Sequence, residues 1–484
     1  MPLILSRAAT VYSLTQLGDS EEAAQRKQPC TGVAAPECPV RQIRASMVPL
    51  YAFPAADGFS AKRIRSFGDL QTAVPDTDDM VRTSSASSSA SDEESNGIEG
   101  SSDSGSSMAQ VVPQRSLLDS LLLAEWEDRA EAGLFRYDVT ACATRVLPGA
   151  YGFVAQLNEG RASKKRPTEF CIDEVNQPFD DSKFNFCKAL QKEVLFQFQP
   201  QPMSVAGQTA TFTPLAPVPA SPNLIFINVS PIEYGHVLLV PRVLDNLNQL
   251  ATPETLMLAL QFAREANNPY LRVGFNTLGA YATINHLHFQ AYYLNAPMAL
   301  ERAMTGPLPD GILPSSPQSI ASPSSSAQPT WSGGSGGGGS PGAGTAKNAR
   351  KRGVKIQQLM DYAVRGMVFE AGDSLEELAQ VVGTACQRLT AHNIPHNMMI
   401  VDRGARIFLV PNAFAERKAR NELPEDILDT MVDPAVFEIS GHMVLKRQQD
   451  YDVADQAWTW KLLSYASYSE EKFIEAVKVA VGDE

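Results

Sequence analysis

The run Ile284-Asn285-His286-Leu287-His288-Phe289-Gln290-Ala291-Tyr292-Tyr293-Leu294 constrains this chain more than any other stretch. No Gly or Pro interrupts it, and β-branched and aromatic residues recur through it, so it reads as a β-strand. Strand side chains alternate between faces. Leu287, Phe289 and Ala291 therefore share a core-facing side, and His286, His288 and Gln290 share the other. The whole chain holds six histidines, so two of them set two apart beside a glutamine form a distinctive polar face.

Neighbouring segments supply a setting for that strand. Leu224 to Ile227 and Val237 to Val240 are apolar runs around Asn228-Val229-Ser230-Pro231, a hairpin layout with Gly235-His236 at the start of its second strand. Pro253 to Ala266 reads as a helix, and Leu271 to Asn276 as a further strand before the Thr277-Leu278-Gly279 turn. Farther on, Asn397 to Val401 and Arg406 to Pro411 read as another strand pair. Phe437 to Leu445 carries a second Gly-His, Gly441-His442, entering an apolar strand. This recurrence suggests a degenerate internal duplication.

The expected fold class is α+β, a mainly antiparallel sheet with flanking helices and two related halves. Residues 1–115 are expected to be poorly ordered, because 83–107 is Ser-rich and acidic and has too little apolar surface to offset its ordering entropy. Residues 116–313 make the first half, opening on a helix with Leu117, Leu118, Leu121, Leu122 and Trp126 at helical spacing. Residues 314–353 are a Ser/Pro/Gly-rich insertion, and 354–484 the second half.

Charge and cysteine content narrow the function classes. The net charge of −13 argues against general binding to nucleic acid or to an anionic membrane. Eight acids against one base between Asp76 and Gly105 account for over half of it, so an anionic substrate is compatible with the remainder. The six cysteines include no C-x-x-C pair, which fits a reducing compartment. No run is long and apolar enough for a bilayer span. The cytoplasm is the expected location, with the nucleus as a second one if the basic run Lys347 to Lys355 serves import. The cations Lys164, Lys165 and Arg166 read either as a solvated loop or as a clamp on a phosphorylated ligand.

Three chemistries fit the His-x-His-x-Gln face. A zinc site needs further ligands, and no nearby Cys pair or acidic pattern supplies them. A strand with two core-edge histidines needs no function at all. The third is nucleophilic attack at phosphorus, in which one neutral imidazole forms a labile phosphohistidyl bond, its neighbour orients it, and Gln290 donates to a non-bridging oxygen. An amide cannot act as a general acid, so Gln290 suits a leaving group that departs without a proton, such as a phosphate or a sugar phosphate. That favours transfer between phosphates over hydrolysis of a nucleotide ester.

The hairpin and the His286-Leu287-His288-Phe289-Gln290 run together resemble the histidine-triad superfamily, in its galactose-1-phosphate uridylyltransferase-like branch, whose motif ends in Gln. Longer runs, including Leu134 to Thr140, Gln156 to Arg161, Lys164 to Phe170, Ile227 to His236 and Glu438 to Arg447, resemble the GDP-L-galactose phosphorylases of plants and green algae. The resemblance implies a nucleotidyltransferase that converts GDP-L-galactose and inorganic phosphate to L-galactose 1-phosphate and GDP through a GMP-histidine, the committed step toward ascorbate. It implies His288 as nucleophile, His286, His236 and Gln290 beside it, Asn228 at the ribose, and Asn276, Thr283 and Asn285 near phosphate. It implies no metal and no cofactor, and it leaves a homodimer as the expected assembly. A GDP-D-glucose phosphorylase is the alternative within the same chemistry, and a nucleotide-binding regulatory protein with a nuclear role is the alternative outside it.

Overall fold

The computed structural model describes residues 39–54, 115–164, 170–171, 173–201, 209–309 and 352–482. The Ser-rich acidic segment, most of the Ser/Pro/Gly insertion with Lys347 and Lys351, and Lys165-Arg166 lie outside the described residues. The described residues form fifteen strands: β1 Met47–Phe53, β2 Thr144–Val146, β3 Val154–Leu157, β4 Val194–Pro200, β5 Thr211–Pro217, β6 Leu224–Ile227, β7 Val237–Val240, β8 Leu271–Asn276, β9 Phe289–Tyr293, β10 Thr305–Gly306, β11 Lys355–Leu359, β12 Met367–Glu370, β13 His396–Val401, β14 Arg406–Pro411 and β15 His442–Leu445. Twelve of them make one sheet in the order β10-β11-β12-β14-β13-β8-β9-β7-β6-β4-β1-β5, antiparallel except between β1 and β4. The fold is α+β.

Alternation along these strands divides the core. Ile225, Leu239, Val273, Phe275, Phe289, Ile400 and Ile407 point to one face, where helices α1 (Leu117–Glu131), α2 (Pro253–Ala266), α3 (Leu375–Ala391) and α5 (Glu470–Val481) cover them. Each helix starts on a side-chain cap. Ser116, Thr252, Ser374 and Ser469 accept from backbone N–H groups of the first turn, and Pro253 occupies the first position of α2, where no donor is needed. On the opposite face, Met399, Val401, Phe408 and Val410 of the second half pack against the short helix α4 (Val436–Ile439) and the small sheet β15-β3-β2.

The two halves repeat one unit. Hairpin β6-β7, helix α2 and hairpin β8-β9 form the sheet order β6-β7-β9-β8; hairpin β11-β12, helix α3 and hairpin β13-β14 form β11-β12-β14-β13. The units meet where β8 pairs antiparallel with β13, Asn276 opposite Asn397. The duplication therefore does not run through Gly441-His442. That segment is helix α4, a turn with Gly441 at φ 103°, then β15, which pairs parallel with β3 in the separate small sheet.

Two further expectations are corrected. Within the span read as poorly ordered, Val40–Ala45 forms a 3-10 helix and Met47–Phe53 forms β1, inserted between β4 and β5. The strand read from Ile284 begins only at Phe289. Upstream of it the chain bends at Asn285 and His286 and meets a loop in place of a strand, with Leu287 N–H donating to the Leu247 carbonyl and His288 N–H to the Gln249 side chain.

Candidate active site

Gln290 and His288 line a cavity of about 540 Å³, on the sheet face opposite the buried Leu287, Phe289 and Ala291. Asn228, Asn276 and Thr283 line it too. His236 and His286 are wholly buried beside it, and Asn285 is spent elsewhere: its side chain donates to the Gln177 and Pro178 carbonyls and accepts from the Gln249 N–H. Lys164 ends a short helix, Glu159–Lys164, and the rest of the basic cluster lies outside the described residues.

Hydrogen bonds fix the protonation of each histidine. The His288 Nδ1 is 2.9 Å from the His286 carbonyl oxygen. A carbonyl can only accept, so Nδ1 carries the proton and Nε2 the lone pair. The reverse holds at His286, whose Nδ1 accepts from the Phe186 N–H at 3.1 Å, putting its proton on Nε2. That nitrogen makes no hydrogen bond of ordinary geometry; the Val243 backbone is the acceptor acting on it, from beyond ordinary reach. His236 accepts from the Ile232 N–H at 2.8 Å, so its Nε2–H donates to the Gln290 side chain. With the Gln290 oxygen thus engaged, its amide N–H groups remain for a ligand.

Burial keeps these rings neutral. It lowers His288 to about 4 and His286 to about 3, with the His288 charge a lesser cause at His286. His236 is pushed well below its ordinary value, by burial first and then by the Arg161 charge. Neutral His288 with its lone pair on Nε2 is the form a nucleophile requires.

A buried glutamine that sequence reasoning missed braces this arrangement. Gln249 accepts from the His288 N–H at 2.9 Å and donates to the His288 and Asn276 carbonyls at 3.1 and 2.9 Å. The Asn228 oxygen accepts from the Ser230 N–H, closing the hairpin turn. Its amide nitrogen lies 3.2 Å from His236 Nε2; with that nitrogen protonated the contact is packing, which leaves the amide N–H of Asn228 to the cavity. Asn276 accepts from Asn397 at 2.7 Å and from the Val436 N–H at 3.0 Å, so its amide donors are likewise left to a ligand. Gly274 allows Val436 this close, since a Cβ there would stand 2.7 Å from its side chain.

Cations reach the cavity singly, from separate elements: Arg136, Arg161, Lys188, Lys192 and Lys446. Arg161 is anchored to the Ser230 carbonyl at 2.7 Å. Arg136, Arg161 and Lys446 all lie in the long runs that carried the family resemblance, which was the available signal for them. Among the described residues no group of three or more His, Cys, Asp or Glu is placed to hold a metal. No helix there is long and apolar enough to cross a membrane.

Comparison with known proteins places the chain in a family. Residues 117–292 match the GDPGP1-like N-terminal domain and residues 343–482 the GDPGP1-like C-terminal domain. A curated relative, GDP-L-galactose phosphorylase 1 of Arabidopsis thaliana, is 49% identical over 76% of this chain and 74% of its own. The chain belongs to the GDPGP1-like family. Another relative in that family, GDP-D-glucose phosphorylase 1 of Homo sapiens, is 32% identical over 72% of this chain and 78% of its own. The crystal structure of yeast Ap4A phosphorylase Apa2 aligns with 73% of this chain and 95% of its own, at a TM-score of 0.41 and 12% identity. The GDPGP1-like domain matches include every cavity-lining residue named above.

Proposed function

We propose that this protein is a GDP-L-galactose phosphorylase that works through a guanylylated His288. The observation that carries the reading is the proton fixed on His288 Nδ1 by the His286 carbonyl, which leaves Nε2 as a lone pair in a neutral, cavity-lining imidazole. In the first step Nε2 attacks the α-phosphorus of GDP-L-galactose. The bond from that phosphorus to the bridging oxygen breaks, and L-galactose 1-phosphate leaves with the oxygen and its electron pair. The imidazolium so formed holds its Nδ1–H against the His286 carbonyl, which stabilises the charge. In the second step an oxygen of inorganic phosphate attacks the same phosphorus, the P–N bond breaks, and GDP departs.

The remaining groups support charge and position. Gln290, with its oxygen occupied by His236, donates to a non-bridging oxygen of the α-phosphate. Asn228 meets the ribose, and Asn276 and Thr283 the phosphates, a reading supported by their lining the same cavity. Arg161 and Arg136 offset the charge of the diphosphate.

The test is incubation with GDP-L-galactose with and without phosphate. GDP and hexose 1-phosphate are expected in catalytic amounts only with phosphate present; release of GMP in its place would make the protein a hydrolase and overturn the reading. A second reading, GDP-D-glucose phosphorylase, is favoured by the human relative, and the ratio of kcat/KM for the two sugars decides between them. A cytoplasmic location, a nuclear share through Lys347 to Lys355, and a homodimer complete the proposal. Imaging with Lys351 and Arg352 neutralised and sedimentation of the purified protein test these in turn.

A further inference from the structure

The mixed lining of the cavity includes an apolar aromatic patch and a set of polar groups outside it. Phe184, Phe186, Phe226, Leu238 and Ile284, all from the first half, make the apolar patch, and the Phe186 ring centre lies 5.2 Å from that of His288. The polar groups Asp433, Glu438 and Lys446 come from the second half, and Tyr281 is carried on the turn before His288. A guanine offers flat π-faces and suits the aromatic patch. A hexose offers hydroxyls alone and needs hydrogen-bonding partners, which the polar groups supply.

Tyr281 is the distinctive residue among those groups. Its φ is +71°, a conformation that a bulky L-residue rarely adopts. The turn is held there from the second half. The Thr277 hydroxyl donates to the His396 carbonyl at 3.0 Å and accepts from the His396 N–H at 3.0 Å, while the Asn397 amide donates to the Ala280 carbonyl at 2.9 Å. The Phe414 ring packs beside the phenol, centres 6.1 Å apart. So held, the Tyr281 hydroxyl is buried and makes no hydrogen bond. A buried hydroxyl without a partner, on a strained residue lining a substrate-sized cavity, is the signature of a group whose partner is the ligand. The Asp433 carboxylate acts electrostatically on the same phenol, and its other partner is Lys418 at 2.8 Å.

We propose that Tyr281 is a specificity-determining residue that donates a hydrogen bond to a hydroxyl of the hexose, with Asp433 accepting from a neighbouring hydroxyl. This rests on the guanylyl-transfer reading above. It sets the Tyr281 turn of the first half and Asp433 of the second half at the sugar, and the aromatic patch at the nucleotide base.

The two half-reactions separate the assignments. Labelled inorganic phosphate exchanges into the β-position of GDP through the second step run in both directions, with no hexose present. Tyr281→Phe is expected to lower kcat/KM for GDP-hexose about 5- to 10-fold, the loss of one neutral hydrogen bond, while phosphate–GDP exchange stays within about twofold of the parent. Asp433→Asn is expected to show the same split and to change the preference between GDP-L-galactose and GDP-D-glucose. The phenylalanine variant removes an unpaired buried hydroxyl, so an undiminished Tm is expected and a folding defect is separable from the kinetic effect. Parallel losses in exchange and in hexose turnover, or no loss in either, overturn the assignment. A parent protein that turns over GDP-hexose without exchanging phosphate into GDP overturns the guanylyl-transfer reading itself, and the hexose assignment with it.

Discussion

The His286 carbonyl oxygen and the His288 Nδ1 lie 2.9 Å apart, two residues from each other along the chain. The contact is local, so it survives movement of every other group around the cavity. His288→Asn is expected to lower turnover by about 10⁴ or more, the loss typical of removing a nucleophile. Intact-protein mass spectrometry after mixing with GDP-hexose, without phosphate, is expected to show a GMP adduct on the parent and none on the variant. Turnover retained by the variant would sink the nucleophile assignment.

Gln290 faces both His236 and the cavity, and its charge state matters to each. Gln290→Glu sets a carboxylate where a donor to phosphate is required, and kcat/KM is expected to fall about 100-fold or more. Circular dichroism unchanged from the parent would assign the loss to chemistry. A variant within a few fold of the parent would remove Gln290 from the transition state.

Gln249 touches no ligand in this scheme and acts through backbone. Gln249→Leu leaves the His288 N–H and the Asn276 carbonyl buried without that partner, at about 1–3 kcal/mol for each group left unsatisfied. Both Tm and kcat are expected to fall. A lowered Tm with unchanged kcat would make the residue a fold brace alone.

Acid should destabilise the protein well before carboxylates titrate. His286, His288 and His396 are pushed by burial to about 3, 4 and 4, below the ordinary value near 6.5 that they regain on unfolding. Between those limits the unfolded chain binds more protons than the folded one, so stability is full above about pH 6.5 and falls as pH drops toward 4. Each ring contributes on the order of 3 kcal/mol at full extent. Urea midpoints measured from pH 7 to pH 4 are expected to decline steadily, and a flat profile would contradict the burial of these rings.

A fourth buried group lies away from the cavity chemistry. Arg272 and Glu301 form an ion pair of 2.6 Å with side chains 0% and 7% exposed. Arg272→Met strands the carboxylate, and a loss of about 3–5 kcal/mol is expected in chemical denaturation. A loss below 1 kcal/mol would mean that Glu301 finds another partner.

Much of this was legible in the sequence where the signal was local. The hairpin β6-β7, helix α2 and strand β8 follow the pattern of apolar residues, the Thr252-Pro253 cap and the glycines. The face shared by Leu287, Phe289 and Ala291 follows from period two, and it holds even upstream of Phe289 where no strand forms. What sequence could not show was distance. Strand β1 has partners about 150 positions away, Leu50 against Gln197, and nothing near it announces a sheet. Gln249 and Tyr281 are ordinary residues locally and acquire meaning from groups far along the chain. The described cations of the cavity come one at a time from separate elements, a pattern that no local run of charge announces. The Gly-His of β15 misled because two residues are too few to mark a repeat, and the repeat is carried by the order of hairpins and helices.

The pairing of β8 with β13, reinforced by the buried amide chain Asn276-Asn397-Asn412, also bears on how the chain is held in one piece. The seam is built from residues 273–276, 397–400 and 412, on either side of the peptide between residues 309 and 352. A protease cut in it would sever the polypeptide and leave this seam whole, so that two fragments expressed separately would associate into a working enzyme. The covalent chain across that point then sets the stoichiometry of the two units, and the non-covalent contacts between them set their alignment.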